Sequence, residues 1–249
     1  MRSTDYQRIA AIYDDAEFRH NNPPDRHLGA HLERVPGQFC VLDVACGTGN
    51  YLAAQRAVYD DPRITWHGID ASEAMLERAR LKLEGCALDC ARAEALPFDT
   101  ASMHYLSNNF AFHHFADKAR ALDEMRRVLA AGGGLRITNI APEYAPQWWA
   151  YEYFPQGKLE DQKRFWSVAL LRHELEQRGF EVRAEVRITI ERLSASEALR
   201  QARGRDQSSI AIVDEASFAA GIARLERDAE AGASIVDHGA FVEITAVRS

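Results

Sequence analysis

Short apolar runs alternate with longer amphipathic stretches through the middle of the chain. Runs of roughly four to eight residues rich in Val, Ile and Leu predict strands, and stretches with an apolar period of about 3.6 residues predict helices. Strands are predicted at 39–45, 64–70, 87–94, 103–110 and 135–141, with helices at 51–59, 72–83 and 116–130. Ser72 is placed to cap the second helix, and Gly132, Gly133 and Gly134 are predicted to end the third. Such alternation is typical of a parallel sheet with helices on both faces.

The two flanking regions depart from this alternation. Residues 1–37 predict two helices, joined by a turn at the Asn-Asn-Pro-Pro of 21–24. Residues 142–166 hold three Trp, three Tyr and two Phe in 25 positions. The remaining chain predicts, in order, a helix at 167–178, a strand at 180–190, helices at 194–203 and 214–231, and a strand at 239–247. Two strands that form a hairpin need no helices between them. We therefore interpret the predicted helices at 194–203 and 214–231 as an insertion that helps to cover a ligand.

The stretch VLDVACGTGNYL at 41–52 joins a predicted strand to a predicted helix. Gly47 and Gly49 let the backbone approach a ligand closely. A dinucleotide-binding loop would carry a third glycine where Leu52 stands, and a P-loop would continue with Gly-Lys-Ser or Gly-Lys-Thr. The carboxylate of Asp43 at the strand end disfavours a pyrophosphate. This loop therefore predicts a site for a cationic ligand.

A second acid, Asp70, ends the next predicted strand, 21 residues after Gly49. An acid at this place accepts hydrogen bonds from the two hydroxyl groups of a ribose. The alternative is that Asp70 caps the helix that follows it. We favour the ribose interpretation, because Ser72 already serves as a cap.

Charge and cysteine content narrow the class of partner. The 249 residues hold 30 Lys and Arg against 37 Asp and Glu, a formal charge of −7 that disfavours a nucleic-acid partner. No apolar run reaches the roughly 18 residues of a membrane span, and the N-terminal stretch does not read as a secretory signal. The four cysteines form no CxxC pair and no zinc pattern, and no carboxylate cluster argues for a metal. We therefore expect a cytoplasmic protein without a metal site.

Residues 38–141 resemble the class I S-adenosylmethionine-dependent methyltransferases, in particular the ubiquinone/menaquinone-methyltransferase-like group of small-molecule enzymes. The resemblance is carried, in family order, by the runs VLDVACGTGNYL, GIDASEAMLERAR, ARAEALPF, SNNFAFHHF and ALDEMRRVLAAGGGLRITNI. It implies a doubly wound, Rossmann-like α/β fold with a seven-stranded sheet of order 3-2-1-4-5-7-6 and an antiparallel last strand. It also implies S-adenosyl-L-methionine as cofactor and S-adenosyl-L-homocysteine as product.

With this resemblance the chain divides into four predicted parts. Residues 1–37 form an N-terminal helical lid, and residues 38–141 form the cofactor-binding core. Residues 142–166 form an aromatic cap segment. Residues 167–249 complete the sheet and carry a helical insertion at 191–237.

The resemblance also assigns cofactor roles position by position. Asp43 matches the acid beneath the amino group of the cofactor, and Asp70 matches the acid that binds the ribose. Many relatives have Asp where Arg92 stands, so here Glu94 or a backbone carbonyl is expected to hold the adenine amino group. The other positions are Ala45, Gly47 and Gly49 at the methionine part, Ala71 and Met75 beside the adenine, Ala93, Glu94 and Ala95 on its other face, Asn109 and Phe110 beside the sulfonium, and Tyr13 over the carboxyl end.

Methyl transfer from a sulfonium is an in-line displacement, so the protein mainly positions and desolvates the reactants, and a general base is optional. His113 and His114 are the candidate bases. Their alternative role is structural, because relatives of many specificities share such a pair. Trp148, Trp149 and Tyr153 are candidates for an apolar acceptor pocket, and their alternative role is to pack a helix on the sheet.

The sequence thus predicts an enzyme that methylates an O, N or C atom of a small molecule, as a monomer or a homodimer. Two alternatives stay open, because both use the same cofactor site. One is a protein that binds S-adenosylmethionine without transferring the methyl group, and the other is an enzyme of non-methyl chemistry. Leu52 and Asp43 disfavour a third, a nicotinamide-linked oxidoreductase.

Overall fold

The computed structural model describes residues 13–15, 20, 22–205 and 207–249. These residues contain seven strands and ten α-helices. The strands are β1 (Phe39–Val44), β2 (Ile64–Asp70), β3 (Ala87–Cys90), β4 (Met103–Asn109), β5 (Leu129–Ile140), β6 (Phe180–Ser194) and β7 (Ser234–Arg248). The helices are α1 (Arg26–Leu32), α2 (Asn50–Val58), α3 (Glu73–Arg80), α4 (Lys118–Val128), α5 (Trp149–Tyr153), α6 (Pro155–Arg164), α7 (Val168–Gln177), α8 (Ala195–Gly204), α9 (Ser208–Ala211) and α10 (Glu215–Glu230). Short 3₁₀ turns lie at Tyr13–Asp15, Phe112–His114 and Pro142–Tyr144.

The strands form one sheet of order β3-β2-β1-β4-β5-β7-β6, with β7 antiparallel, as the resemblance implied. Strands β1 to β5 pair in parallel, through β1–β2, β1–β4, β2–β3 and β4–β5. The chain reverses direction in the sheet order after β3, where it crosses back to β4 on the other side of β1. In open α/β sheets, ligands bind at such a switch point, beyond the carboxyl ends of the strands.

Side chains in the loops start the helices around this switch point. Ser72 caps α3, where its hydroxyl accepts from the amide of Met75, so this prediction is confirmed. Asp25 caps α1 and accepts from the amides of His27 and Leu28. Each cap satisfies amide groups that have no partner inside the helix, which fixes where the helix begins.

The glycine triplet 132–134 lies inside β5, so the prediction that it ends the preceding helix was wrong. Helix α4 stops at Val128, because the backbone of Leu129 is already extended, with φ −75° and ψ 133°. The β4–β5 register shifts over this stretch. Glycine is needed there for close packing, since a Cβ on Gly134 would lie 2.8 Å from the ring of His31. Sequence pattern alone did not distinguish a helix end from a strand bulge.

The chain forms two compact units. The core unit holds the described residues up to Asn139 together with Ala169–Glu185 and Glu243–Ser249, and the accessory unit holds Ile140–Val168 and Val186–Val242. The apolar centre of the core unit includes residues of β1, β2, α1, α2 and α3, among them Phe39, Leu52 and Leu76. The accessory unit has its own buried cluster, formed by α5, α8, α9, α10 and neighbouring residues.

Other boundaries differ modestly from those predicted. Strands β6 and β7 are each 15 residues long and extend into the predicted insertion from both sides. The extension of β6, residues 191–194, is mostly exposed and therefore carries little apolar signal. The short helix α9 was not predicted. Of the two helices expected in residues 1–37, one corresponds to α1, and most of the other lies outside the described residues. Among the described helices, none has the length and apolar character needed to cross a membrane.

Candidate functional site

Three parallel strands bring polar side chains to one edge of the core unit. In register, Asp43 of β1 lies opposite Gly68 of β2 and Ser107 of β4. Asp70 is the last residue of β2, and Asn109 is the last residue of β4. These carboxyl ends surround the loop between β1 and α2, so the structure gathers the acids that the sequence singled out.

The loop itself has three residues in the left-handed region of backbone space. They are Ala45 at φ 60°, Gly47 at φ 56° and Gly49 at φ 79°. A Cβ at Gly49 would lie 2.5 Å from Cδ1 of Leu83, and the left-handed backbone at φ 79° disfavours any residue with a side chain, so glycine suits this position. A Cβ at Gly47 would meet no atom within 4 Å. Gly47 therefore faces open space, where a ligand can approach the backbone.

Asp70 uses its carboxylate to hold the loop and the following turn. Its Oδ2 accepts from the amide of Gly47 at 2.8 Å, and its Oδ1 accepts from the amide of Ser72 at 2.8 Å. Since Ser72 is the residue that caps α3, the alternative role of Asp70 as the helix cap is not what the structure shows. Each carboxylate oxygen has a second lone pair, so both retain capacity to accept from ribose hydroxyls.

Asp43 is a buried acid in a polar setting. Its Oδ1 accepts from Ser107 Oγ at 2.7 Å and from Asn109 Nδ2 at 3.3 Å. Burial raises the pKa of its carboxyl to about 7, although the two hydrogen bonds act in the opposite direction. A cation placed beside such a buried carboxyl stabilises its ionised form more than it would stabilise that of an exposed carboxyl.

Asn109 and Phe110 lie where β4 ends. Phe110 has φ 53°, uncommon for a residue with a side chain, and its amide donates to the carbonyl of Thr138 at the end of β5. The residue is 47% exposed. Backbone strain of this kind persists where surrounding structure enforces it and is frequent at functional sites.

The residues assigned to the adenine differ in how far they are exposed. Ala71 and Ala95 are exposed, Ala93 is buried, and Met75 is buried with 1% of its surface exposed. Glu94 turns its Oε1 to the amides of Ala116 and Asp117, at 2.8 and 3.2 Å. Its other oxygen, Oε2, lies 3.5 Å from Nε of Arg92, and the role of Glu94 at the adenine stays a prediction.

Tyr13 lies in a 3₁₀ turn together with Asp14. The side chain of Asp14 forms hydrogen bonds in and directly after the glycine loop. Asp14 Oδ1 accepts from Thr48 Oγ1 at 2.7 Å and from Asn50 Nδ2 at 2.9 Å. Its Oδ2 pairs with Lys82 Nζ at 2.5 Å. These bonds lower the pKa of the Asp14 carboxyl, against the desolvation that raises it. The Tyr13 turn is therefore anchored beside the loop that contains Gly47.

His113 and His114 lie in the 3₁₀ turn after β4, and their ring centroids are 3.9 Å apart. His113 is buried, and its Nδ1 lies 3.2 Å from Oδ1 of Asn139 on β5. His114 is half-buried. The pair thus follows the end of β4 in the core unit, and its role as base stays a prediction.

The candidate acceptor residues belong to the accessory unit. Trp149 is fully buried in the apolar cluster of that unit. Tyr153 is also buried there, and its hydroxyl donates to Asp228 at 2.6 Å. Trp148 is half-buried, with its ring 4.9 Å from that of Tyr151. The structure thus brings these three residues together, and two of them fill the interior of their own unit.

Arg200, Arg203 and Arg205 lie close together in the accessory unit, and each pairs with a glutamate. In the described ranges, no group of three His, Cys, Asp or Glu side chains is arranged to hold a metal ion.

Sequence reasoning missed two charged residues near the site. Asp14 stands next to Tyr13, which was singled out, and its partners are 34 and 36 positions away. Arg136 is a lone charge in the apolar run LRITNI of β5. A charge inside a buried strand was the available signal, because such a residue needs partners.

Comparison with known proteins agrees with the fold and the loop. A family model described as a methyltransferase domain matches residues 41–133. A demethylmenaquinone methyltransferase of Staphylococcus epidermidis is 41% identical over 138 residues, which cover 52% of this chain and 56% of that protein. One of Thermus thermophilus is 37% identical over 123 residues, which cover 47% of this chain and 53% of that protein. The chain thus spans about half the length of these curated relatives.

Solved structures share the fold over most of the chain. A candidate methyltransferase from an antibiotic biosynthesis pathway of Anabaena variabilis has a TM-score of 0.66 at 19% identity, and the match covers 90% of this chain and 98% of that one. The [4+2]-cyclase SpnF has a TM-score of 0.56 at 24% identity, over 90% and 80% of the two chains. At these identities the likeness concerns the fold.

The strand order is that of Rossmann-like methyltransferase structures such as the one from Anabaena variabilis. Residues 41–133 match a methyltransferase domain, and the chain is similar to the quinone methyltransferases over about half of its length.

Proposed function

We propose that this chain is an enzyme that transfers the methyl group of S-adenosyl-L-methionine to a small-molecule acceptor. The observation that carries the proposal is the pair of acids, Asp43 and Asp70, at the ends of adjacent parallel strands around a glycine that faces open space. The residues present fit the cofactor, because a buried carboxyl suits its ammonium group and an accepting carboxylate suits its ribose.

When bound, S-adenosylmethionine supplies a methyl group already activated by a positively charged sulfur. Asp43 would hold its ammonium group, and Asp70 would accept from its ribose hydroxyls. The backbone at Gly47 would hold the methionine part, and Asn109 and Phe110, where β4 ends, would line the site beside the sulfonium. These residues would bind, orient and exclude water, which is most of what an in-line displacement requires.

The acceptor does not follow from the relatives. The family match ends at residue 133, before the accessory unit begins at Ile140. The relatives named above act on demethylmenaquinone by their names, and the residues of the accessory unit lie outside this match. We therefore propose a small molecule with an O, N or C acceptor atom. The roles of His113 and His114 as base, and of Trp148, Trp149 and Tyr153 as acceptor contacts, stay predictions.

Finer expectations about the whole protein also stay predictions. They are a monomer or a homodimer, a cytoplasmic location, and no nucleic-acid or membrane partner. The formal charge of −7 supports a small-molecule acceptor over nucleic acid.

Titration calorimetry with S-adenosylmethionine and S-adenosylhomocysteine tests the proposed function. We expect both to bind at one site per chain, in the micromolar range that is common for enzymes. NADH serves as the control ligand, because the loop lacks the third glycine of a dinucleotide site. Failure of folded protein to bind either sulfur compound would refute the proposal, and binding of NADH alone would favour an oxidoreductase.

The affinity for S-adenosylhomocysteine should fall below neutral pH. The pKa of the Asp43 carboxyl is about 7 without ligand, and only its ionised form attracts an ammonium group. We therefore expect binding about tenfold weaker at pH 6 than at pH 8, with proton release on binding near pH 7. Calorimetry in buffers of different ionisation enthalpy measures both. Asp43→Asn should bind weakly at every pH, and a wild-type affinity that is constant from pH 6 to 8 would contradict this role.

A further inference from the structure

Arg136 is the one charged residue of β5. Its side chain is 15% exposed, and desolvation acts against its charge. The nearby acids Asp25 and Glu243 raise the pKa of its guanidinium, which therefore stays charged. The guanidinium contacts residues of three neighbouring segments of the chain. Nε donates to Glu243 of β7 at 2.7 Å, and Nη1 donates to Oδ1 of Asn109 at 3.1 Å. Nη1 also lies 3.8 Å from the carboxylate of Asp25.

The contact with Asn109 continues to Asp43. The amide of Asn109 accepts from Arg136 through Oδ1 and donates through Nδ2 to Asp43 Oδ1. Because Oδ1 accepts the hydrogen bond from Arg136, the amide turns its NH₂ group towards the acid. The arginine therefore fixes the direction of the amide, and the amide fixes one oxygen of the carboxylate.

The carboxylate of Asp25, which lies 3.8 Å from Nη1 of Arg136, is itself held in place by two tyrosines. Asp25 Oδ2 accepts from the hydroxyls of Tyr51 and Tyr105, at 2.6 and 2.8 Å. Burial and the nearby acid raise the pKa of both phenols well above their usual range, so they remain donors. Tyr51 lies in the first turn of α2, directly after the glycine loop, so this cluster ties the loop to β4 and β5.

We propose that Arg136 is a positioning residue for cofactor binding, which acts through Asn109 to orient the Asp43 carboxylate towards the ammonium group of S-adenosylmethionine. This inference rests on the proposed function. Arginine suits the task because its planar fork can contact Asn109 and Glu243 at once, whereas the single ammonium of lysine is a point charge.

The charges around Asp43 give Arg136 a second, electrostatic effect on the same carboxyl. Asp70 at the end of β2 raises the pKa of Asp43, and Arg136 on β5 lowers it. Burial, together with the negative charge of Asp43, raises the pKa of the Cys46 and Cys86 thiols and of the Tyr51 phenol, so these three groups stay neutral. Arg136 is the cation among these groups, so removing it should shift the titration of Asp43 upward.

Two probes separate this role from a general loss of structure. S-adenosylhomocysteine carries the ammonium group, and 5′-methylthioadenosine is the same nucleoside without the amino-acid part. Calorimetry on Arg136→Met should show binding of S-adenosylhomocysteine weakened about tenfold at pH 7, which corresponds to about 1.4 kcal/mol, with 5′-methylthioadenosine unchanged. The pH midpoint of S-adenosylhomocysteine binding should also move upward. Arg136→Lys keeps the charge and serves as a second variant if Arg136→Met does not fold. It should weaken the binding of S-adenosylhomocysteine less than Arg136→Met does, and it should also leave 5′-methylthioadenosine unchanged.

Arg178→Met is the matched control, because Arg178 is also a 15% exposed, ion-paired arginine of the core unit, with Asp123 and Glu174 as partners. It should bind both probes as the wild type does. Equal weakening of both probes in the Arg136 variants, or no weakening of either, would overturn the inference. Absence of binding of both probes to folded wild-type protein would instead refute the proposed function, and the inference with it.

Discussion

Replacing Asp70 with alanine should weaken the binding of S-adenosylhomocysteine by about 100-fold or more. Hydrogen bonds to a charged group contribute roughly 1.5–3 kcal/mol each, and Asp70 is proposed to accept two from the ribose. The change also releases the amides of Gly47 and Ser72, which Asp70 holds at 2.8 Å. Calorimetry on the purified variant measures the loss, and its thermal unfolding shows whether the core remains folded.

Asp89→Ala is the matched control for this variant. Asp89 is an exposed acid on β3, paired in register with Ile69, so it lies one strand away from Asp70. It should leave the affinity unchanged. Because the ribose is common to both probes, Asp70→Ala should weaken 5′-methylthioadenosine as well, unlike the Arg136 variants. Wild-type affinity in folded Asp70→Ala would remove Asp70 from the cofactor site.

Replacing Arg164 with methionine should lower the free energy of unfolding of the accessory unit by about 3–5 kcal/mol. Arg164 pairs with Asp161 at 2.6 Å, and both side chains are almost wholly buried. The other oxygen of Asp161 accepts from Tyr151 and Ser209, at 2.8 and 2.6 Å. Removing the arginine leaves an acid charge in the interior without its counter-ion, and that isolated charge is the source of the cost.

Urea unfolding followed by tryptophan fluorescence measures this effect, since three of the four tryptophans, Trp148, Trp149 and Trp166, lie in the accessory unit. Arg224→Met is the control in the same unit, because Arg224 pairs with Glu152 at the surface and should cost about 0–1 kcal/mol. The double variant Asp161→Leu, Arg164→Met should recover most of the stability. A loss for Arg164→Met no larger than for Arg224→Met would contradict the argument.

Much of the fold followed from local pattern. The alternation of apolar runs located β1 to β5 and the helices between them, because a strand or a helix buries its apolar positions at a fixed period. The glycine triplet at 132–134 shows the limit of this reasoning. Glycine ends helices and also allows a strand to bulge or pack closely, and only the contact with His31 reveals which applies here.

The order of the seven strands was a different kind of inference. It came from the resemblance of five sequence runs to a family, and the structure has that order. Alternating strands and helices are compatible with several strand orders, because nothing in the local pattern states which strands pair. The division into two compact units was likewise not readable from the sequence, since residues of β6 and β7 contribute to both.

What the sequence by itself determined is which residues lie at the strand ends beside the glycine loop. Asp43, Gly47 and Asp70 were identified by their positions relative to predicted strands, because side chains at the ends of parallel strands necessarily meet at one edge. What only the tertiary structure decided is how these groups are held. Arg136 and Asn109 are 27 positions apart, and Arg136 and Glu243 are 107 apart. No local pattern encodes such pairs, because they form only when folding brings distant strands into register.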